Sequence, residues 1–174
     1  AQEMEIGRNH MQIAEEDPVS GLQTKVTYYV LPEEAVAALV REVTITNQTA
    51  EACRLEVMDG MPAVIPYGVS MESMKNMTQT AKAWMQATTL GEHTELYRVR
   101  ASMEDSASVR EVAGANFALA VEETGEGLSA IVDPEVIFSY DTSLGNPEGF
   151  REQPLEQLLA RRQNRTNIVP CAFF

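Results

Sequence analysis

Alternation with a period of two most constrains what this chain can fold into. In residues 36–47, "VAALVREVTITN", Leu39, Val43 and Ile45 fall on one parity while Glu42, Thr44 and Thr46 fall on the other. A strand turns successive side chains to opposite faces, so this pattern predicts a half-buried strand. Arg41 interrupts the apolar parity, as expected near a strand end or beside a buried carboxylate. Residues 24–31, "TKVTYYVL", are rich in β-branched and aromatic types and are closed by Pro32. After the polar turn "NQTAEA", the run "CRLEVMD" alternates Cys53, Leu55 and Val57 against Arg54 and Glu56, so it reads as the second arm of an antiparallel hairpin. "ELYRVRASM" sets Tyr97, Val99, Ala101 and Met103 against Arg98, Arg100 and Ser102. "NFALAVEE" sets Phe117, Leu119 and Val121 on one face. "SVREVAG", "LSAIVD" and "EVIFSY" complete about eight expected strands punctuated by glycine and proline.

Helices are expected in two places. Ser70 is a good N-cap type, and Met71, Met74, Met77, Ala81 and Met85 then form a core-facing stripe at helical spacing. Pro154 suits a first helical turn, and Leu155, Leu158 and Leu159 form the stripe of residues 154–163. Arg161, Arg162 and Arg165 favour the negative end of that helix dipole. Strands dominate and no βαβ alternation runs through the chain. The expected fold is therefore mainly β, an antiparallel sandwich with one or two peripheral helices.

The 174 residues suit one domain, and 44% hydrophobic against 22% charged residues describes a globular chain. Asp and Glu total 26 against 13 Lys and Arg, a net charge of -13. Such a chain repels phosphate backbones and anionic lipid, which excludes nucleic acid and membrane surfaces as expected partners. No apolar run approaches the ~20 residues of a membrane span. The start "AQEMEIGRNH" lacks a signal-peptide pattern, and Cys53 and Cys171 are expected as free thiols in a cytoplasmic protein. The absence of an initial Met and the apolar end "NIVPCAFF" lead us to expect a piece of a longer protein.

Motifs for chemistry are sparse. His10 and His93 are the only histidines and read as isolated; no Cys-x-x-Cys, P-loop, GxGxxG or GxSxG occurs. The expected catalytic, cofactor and metal residues are accordingly none. Asp59, Asp105, Asp133 and Asp141 fall at strand ends or turns, where aspartate commonly sits. Asn47, Asn76 and Asn164 begin N-glycosylation tripeptides, without a secretory signal to support their use.

The stretch "YYVLPEEAVAALVREVTITNQTAEACRLEVMDGMPAVIPYGV", together with "NIVPCAFF", resembles the N-terminal region of bacterial cellobiose phosphorylase-like proteins. Those are glycoside-hydrolase-like enzymes that phosphorolyse β-linked glucosides. The resemblance is clearest from Tyr28 to Val69 and concerns a sandwich domain, not a catalytic signature. It implies a β-super-sandwich similar to the galactose mutarotase fold, over residues 1–174, as a fragment of a multidomain parent. In that family the catalytic acid belongs to a helical barrel absent from this chain, so no catalytic residue carries over. The implied role is a non-catalytic domain that supports the barrel and dimerisation. The partners would be the barrel, a second copy (an open sheet edge could pair with one) and carbohydrate. A free-standing carbohydrate-binding module is the first alternative, weakened by 6% aromatic content. A mutarotase-type sugar epimerase is the second, weakened by two scattered histidines.

"DGMPAVIPYG" ties these readings together. Pro62 and Pro66 cannot donate to a central ladder, so the segment is no mid-sheet strand. Met61, Ala63, Val64 and Ile65 are too apolar for a free loop. It is expected to be a packed connector, with Asp59 and Tyr67 as its polar contacts to a sugar or a neighbour.

Overall fold

The computed structural model describes residues 2–104, 106–161 and 165–174. Asp105, Arg162, Gln163 and Asn164, and the readings that fall on them, lie outside the described residues. The protein is mainly β, with antiparallel sheets and few helices. Its contacts gather into two compact units, residues 1–55 and residues 56–174.

The first unit is a four-stranded antiparallel meander, β1 (Gln2–Ile6), β2 (His10–Asp17), β3 (Leu22–Val30) and β4 (Leu39–Asn47), paired in sequence order. The turn between β2 and β3 follows from its residues. Asp17 accepts from the backbone N–H of Val19 and Ser20 and from the Ser20 hydroxyl, while Gly21 takes a positive φ of 69°. Beyond β4, Asn47 accepts from the Thr49 backbone N–H and hydroxyl and donates to the Glu51 carbonyl, forming the polar turn read from "NQTAEA".

Register sorts this sheet into two unlike faces. Met4, Ile13, Val26 and Val43 form one cross-strand row, flanked by Ile6, Met11, Tyr28 and Arg41 on one side and by Gln2, Glu15, Thr24 and Ile45 on the other. Glu3, Glu5, Gln12, Lys25, Thr27, Glu42 and Thr44 point the opposite way. Arg41 sits on the apolar face, as its place in the alternation predicts. There its guanidinium donates to the Tyr28 hydroxyl and lies 5.1 Å from the ring centroid, a cation–π contact. Among the described residues, no element of this unit packs on that face: Met4 is 62% exposed, Ile6 74%, Val30 65% and Leu39 64%.

The second unit is built on a sheet of order β8-β7-β6-β9, from β6 (Met85–Leu90), β7 (Thr94–Val99), β8 (Asn116–Ala118) and β9 (Arg165–Thr166). A two-stranded ribbon pairs β5 (Gly60–Met61) with β10 (Ala172–Phe173). Four short helices complete it: α1 (Met71–Met77), α2 (Pro134–Phe138), α3 (Glu148–Glu152) and α4 (Leu155–Ala160). Ser70 caps α1 as expected, its hydroxyl accepting from Ser73 N–H at 2.9 Å. The helix then tightens into a 3-10 stretch, Thr78–Trp84, before β6. From Met74 on, the methionine stripe faces inward: Met74, Met77 and Trp84 pack on buried Ala81, Met85 and Val99. Met71 lies outside that contact and is exposed.

Several finer expectations are corrected. Residues 53–57 alternate like a strand but form no ladder; they are an exposed connector, and the boundary between the units falls inside them. Period two marks a half-buried ladder only where a neighbouring strand supplies the ladder, and β4 already has β3. "EVIFSY" is α2, not a strand. Asp133 caps it by accepting from Glu135 N–H at 3.0 Å, and Pro134 occupies its first position. Burying Val136, Ile137 and Phe138 together in so short a segment takes one and a half helical turns, whose apolar residues all face one core. "SVREVAG" is irregular. On β8 Asn116 and Ala118 take the parity of Tyr97 and Glu95, with Ala118 half-buried, whereas Phe117, Leu119 and Val121 take the other parity and are exposed. An edge strand of three residues is oriented by its single partner, not by its own hydrophobicity.

Candidate functional site

The densest set of buried polar groups lies on the inner face of the second unit's sheet. Cross-strand register makes a row of Arg165, Ala87, Tyr97 and Asn116, and beside it Thr89, Glu95 and Ala118. Tyr97 and Glu95 are fully buried. Burying either without a partner would cost several kcal/mol on transfer scales, about 2–7 for a hydroxyl, so their hydrogen bonds explain their presence. The Thr89 hydroxyl lies 3.1 and 2.9 Å from the two Glu95 carboxylate oxygens. Tyr97 donates its hydroxyl to the Cys171 carbonyl at 3.0 Å. Cys171 donates its thiol to the Ile131 carbonyl at 3.3 Å. Asp133, besides capping α2, stands 3.0 Å from Arg165 Nε. That nitrogen makes no aligned hydrogen bond, so the contact is an ion pair.

This environment holds its phenol and its thiol protonated. Burial, then the charge of Glu95, raises the Tyr97 phenol well above its ordinary range. Burial, then the charge of Asp133, does the same to the Cys171 thiol. A thiol so held is a poor nucleophile. Elsewhere two aspartates serve turns. Asp141 accepts from the Ser143 hydroxyl and from the backbone N–H of Ser143, Gly145 and Asn146, and these bonds, the Ser143 hydroxyl first, lower its pKa. Asp17 is lowered in the same way by the Ser20 hydroxyl and then the Val19 amide.

The two residues singled out from "DGMPAVIPYG" stand at opposite ends of that segment. Asp59 exchanges backbone hydrogen bonds with Phe174, at 3.0 and 2.9 Å, which extends the β5–β10 ribbon. Tyr67 makes a parallel bridge with Arg98, and its backbone N–H donates to the Asn116 side chain. Its ring is 62% exposed and lies over Gly114, where a Cβ would come within 2.2 Å of it. Between them Val64 and Pro66 are buried, and Val64 N–H donates to the Pro170 carbonyl at 2.7 Å. The segment is packed through Val64 and Pro66, with Val64 against the C-terminal run, whereas Met61 and Ala63, expected to be covered, are exposed.

Tyr67 borders a shallow depression of about 560 Å³ with Ser70, Ser102, Glu104, Arg110 and Val112. Arg110 and Glu104 pair there at 3.7 Å, both exposed. A second open depression, about 650 Å³, runs along α1 by Met71, Glu72, Met74 and Lys75. His10 pairs with Glu5 at 3.9 Å in the first unit, and His93 with Glu92 at 3.7 Å in the second. Among the described residues, no three His, Cys, Asp or Glu side chains gather as metal ligands, and no helix is long and apolar enough to cross a membrane.

Alternation could have found Glu95, since it shares the parity of inward-facing Tyr97 and Val99. Asp133-Pro134 carries an N-cap signal for α2 that the strand-like composition of "EVIFSY" masks. Arg165 and Cys171 carried none: their proximity to β6 and β7 arises only when the C-terminal run returns to the sheet. No protein-family model matches the chain, and no curated protein matches it.

Proposed function

We propose that this chain is a non-catalytic β-sandwich piece of a carbohydrate-active enzyme resembling cellobiose phosphorylase. In this reading it supports a helical-barrel catalytic domain and takes part in dimerisation. The observation that carries its non-catalytic part is that four of its carboxylates, with the one buried phenol and the buried thiol, are engaged within the fold. Asp17, Asp133 and Asp141 saturate turns and a helix cap, Glu95 is bonded to Thr89 inside the core, and Tyr97 and Cys171 are held protonated by burial. A glycosidic acid–base pair needs two carboxyl groups facing a common substrate space. These face amides and hydroxyls of their own fold.

The test is phosphorolysis of β-linked gluco-oligosaccharides by this chain alone. Inactivity is expected, and turnover would sink the proposal. The exposed ring of Tyr67, beside Arg110 and the serines of its depression, favours one second reading, a weak sugar-contact surface of the kind a binding module presents. Titration calorimetry with the same oligosaccharides decides it: heat abolished by Tyr67→Ala supports that reading, and no heat ends it.

A further inference from the structure

We propose that the outward face of the second unit's sheet carries a binding site for a small, doubly charged oxyanion, built on Arg98 and Arg100. The site does not depend on the carbohydrate reading above. Its test reads anion binding, whereas that reading is tested by turnover.

Arg98 and Arg100 occupy successive outward positions on β7 and its continuation, on the face opposite buried Tyr97 and Val99. The ladder runs on through Arg100, whose backbone N–H donates to the Trp84 carbonyl at 2.8 Å. Successive positions on one face of a strand lie about 7 Å apart, so two like charges stand side by side. Both side chains are exposed. Carboxylates are plentiful in this chain, 26 against 13 Lys and Arg. Arg110 and Arg165 each pair with one, yet among the described residues neither Arg98 nor Arg100 forms an ion pair.

Neutral acceptors hold these two arginines instead. Gln86 lies directly opposite Arg98 on β6 and is only 8% exposed. Its amide oxygen faces the guanidinium and accepts from Nε and, at 2.8 Å, from Nη2. The reverse orientation would set an NH2 group against those donors. Arg100 Nη2 donates to the Ala83 carbonyl and, at 2.8 Å, to Asn167 Oδ1. An amide and a carbonyl carry no net charge, so both guanidinia are oriented without being neutralised. Arginine holds its N–H donors in a fixed fork. These contacts leave Nη1 of Arg98, and Nη1 and Nε of Arg100, unspent among the described residues.

An oxyanion satisfies both the charge and the donors. Charge-assisted N–H···O bonds are about 2.8 Å long, so one tetrahedral anion or one short dicarboxylate bridges donors held on neighbouring positions. Two positive charges call for two negative ones, and planar guanidinium groups suit oxygen acceptors. Thr166 shares the row of Gln86 and Arg98 and adds a hydroxyl on that face. Water and salt compete at an exposed site, so a dissociation constant of about 1–10 mM is expected.

The test follows the arginine Nε–Hε resonances of the isotope-labelled chain by NMR. Sodium sulfate and, separately, sodium succinate are added up to about 50 mM, with ionic strength held constant by sodium chloride so that screening does not change. Saturating shifts are expected at Arg98 and Arg100 and not at Arg151, which donates to Asn146. The tighter of the two anions assigns the ligand as tetrahedral or as a dicarboxylate. Arg98→Ala and Arg100→Ala should each weaken binding about fivefold or more. Arg98→Lys keeps the charge and loses the fork, so it should weaken binding about twofold or more while leaving the fold intact. Lys25→Gln, in the first unit, should change nothing. Shifts that rise linearly without saturating, or that are as large at Arg151, overturn the proposal. Binding indifferent to both Arg98→Ala and Arg98→Lys overturns it as well.

Discussion

Tyr97→Phe tests whether the buried polar layer of the second unit is structural. The substitution removes one oxygen from a fully buried site and leaves the Cys171 carbonyl without the donor 3.0 Å away. Losing such a bond costs about 1–2 kcal/mol at neutral pH. The pH dependence is more diagnostic. The folded-state pKa of Tyr97 is raised above the unfolded value of 10.0. The folded state therefore keeps a proton that the unfolded chain surrenders, so the associated stability is complete below pH 10 and declines as pH rises beyond it. In that window the loss is about 1.4 kcal/mol per pH unit for one group. Cys171 adds an equal slope from about pH 9, but it is present in both proteins and cancels in the comparison. The Tyr97→Phe variant lacks the phenol's share of that slope. It should begin about 1.5 kcal/mol less stable and meet the parent near pH 11. Urea unfolding at half-unit steps from pH 7 to 11 measures this, followed by the fluorescence of Trp84, which packs on the same unit's core. A gap that stays constant through pH 11 would refute a buried, neutral Tyr97.

Other outcomes follow from single contacts. Native protein should react with one equivalent of a maleimide at exposed Cys53, and with a second, at buried Cys171, only in denaturant. At Gly60 a Cβ would lie 1.9 Å from the Ala172 carbonyl oxygen, so Gly60→Ala should push β10 off β5 and cost about 1–3 kcal/mol in urea unfolding. Asp133→Ala removes the α2 cap and leaves Arg165 without its carboxylate. A thermal scan should show a loss of about 2 kcal/mol or more. Tyr67→Ala should change stability by less than about 1 kcal/mol, because its ring is exposed; a larger loss would place that ring in the core.

Local patterns made some of this protein readable from its sequence. Alternation in 39–47 placed Leu39, Val43 and Ile45 on one face and Arg41 among them, because the period of two is a property of the strand itself. Ser70 declared the start of α1, and Pro62 and Pro66 kept "DGMPAVIPYG" out of a sheet interior, because caps and proline act within a few residues. The N-terminal hairpin of β1 and β2 is not legible in the same way, since Gln2, Glu3, Glu5, Glu15 and Glu16 hide the apolar parity of Met4, Ile6, Met11 and Ile13 until the register aligns them.

Tertiary structure decided the rest. Residues 53–57 have a strand's pattern but form no ladder, and a strand exists only where another chain segment completes its hydrogen bonds. Phe117 outranks Asn116 in hydrophobicity, yet Asn116 takes the parity of buried Tyr97, because β7 dictates the orientation of a three-residue edge. The fate of the acids was equally remote from local pattern. Arg165 meets Asp133, and the Cys171 carbonyl meets Tyr97, only once residues 165–174 return to the sheet. Those long-range contacts tie Asp133 to Arg165 and Tyr97 to Cys171.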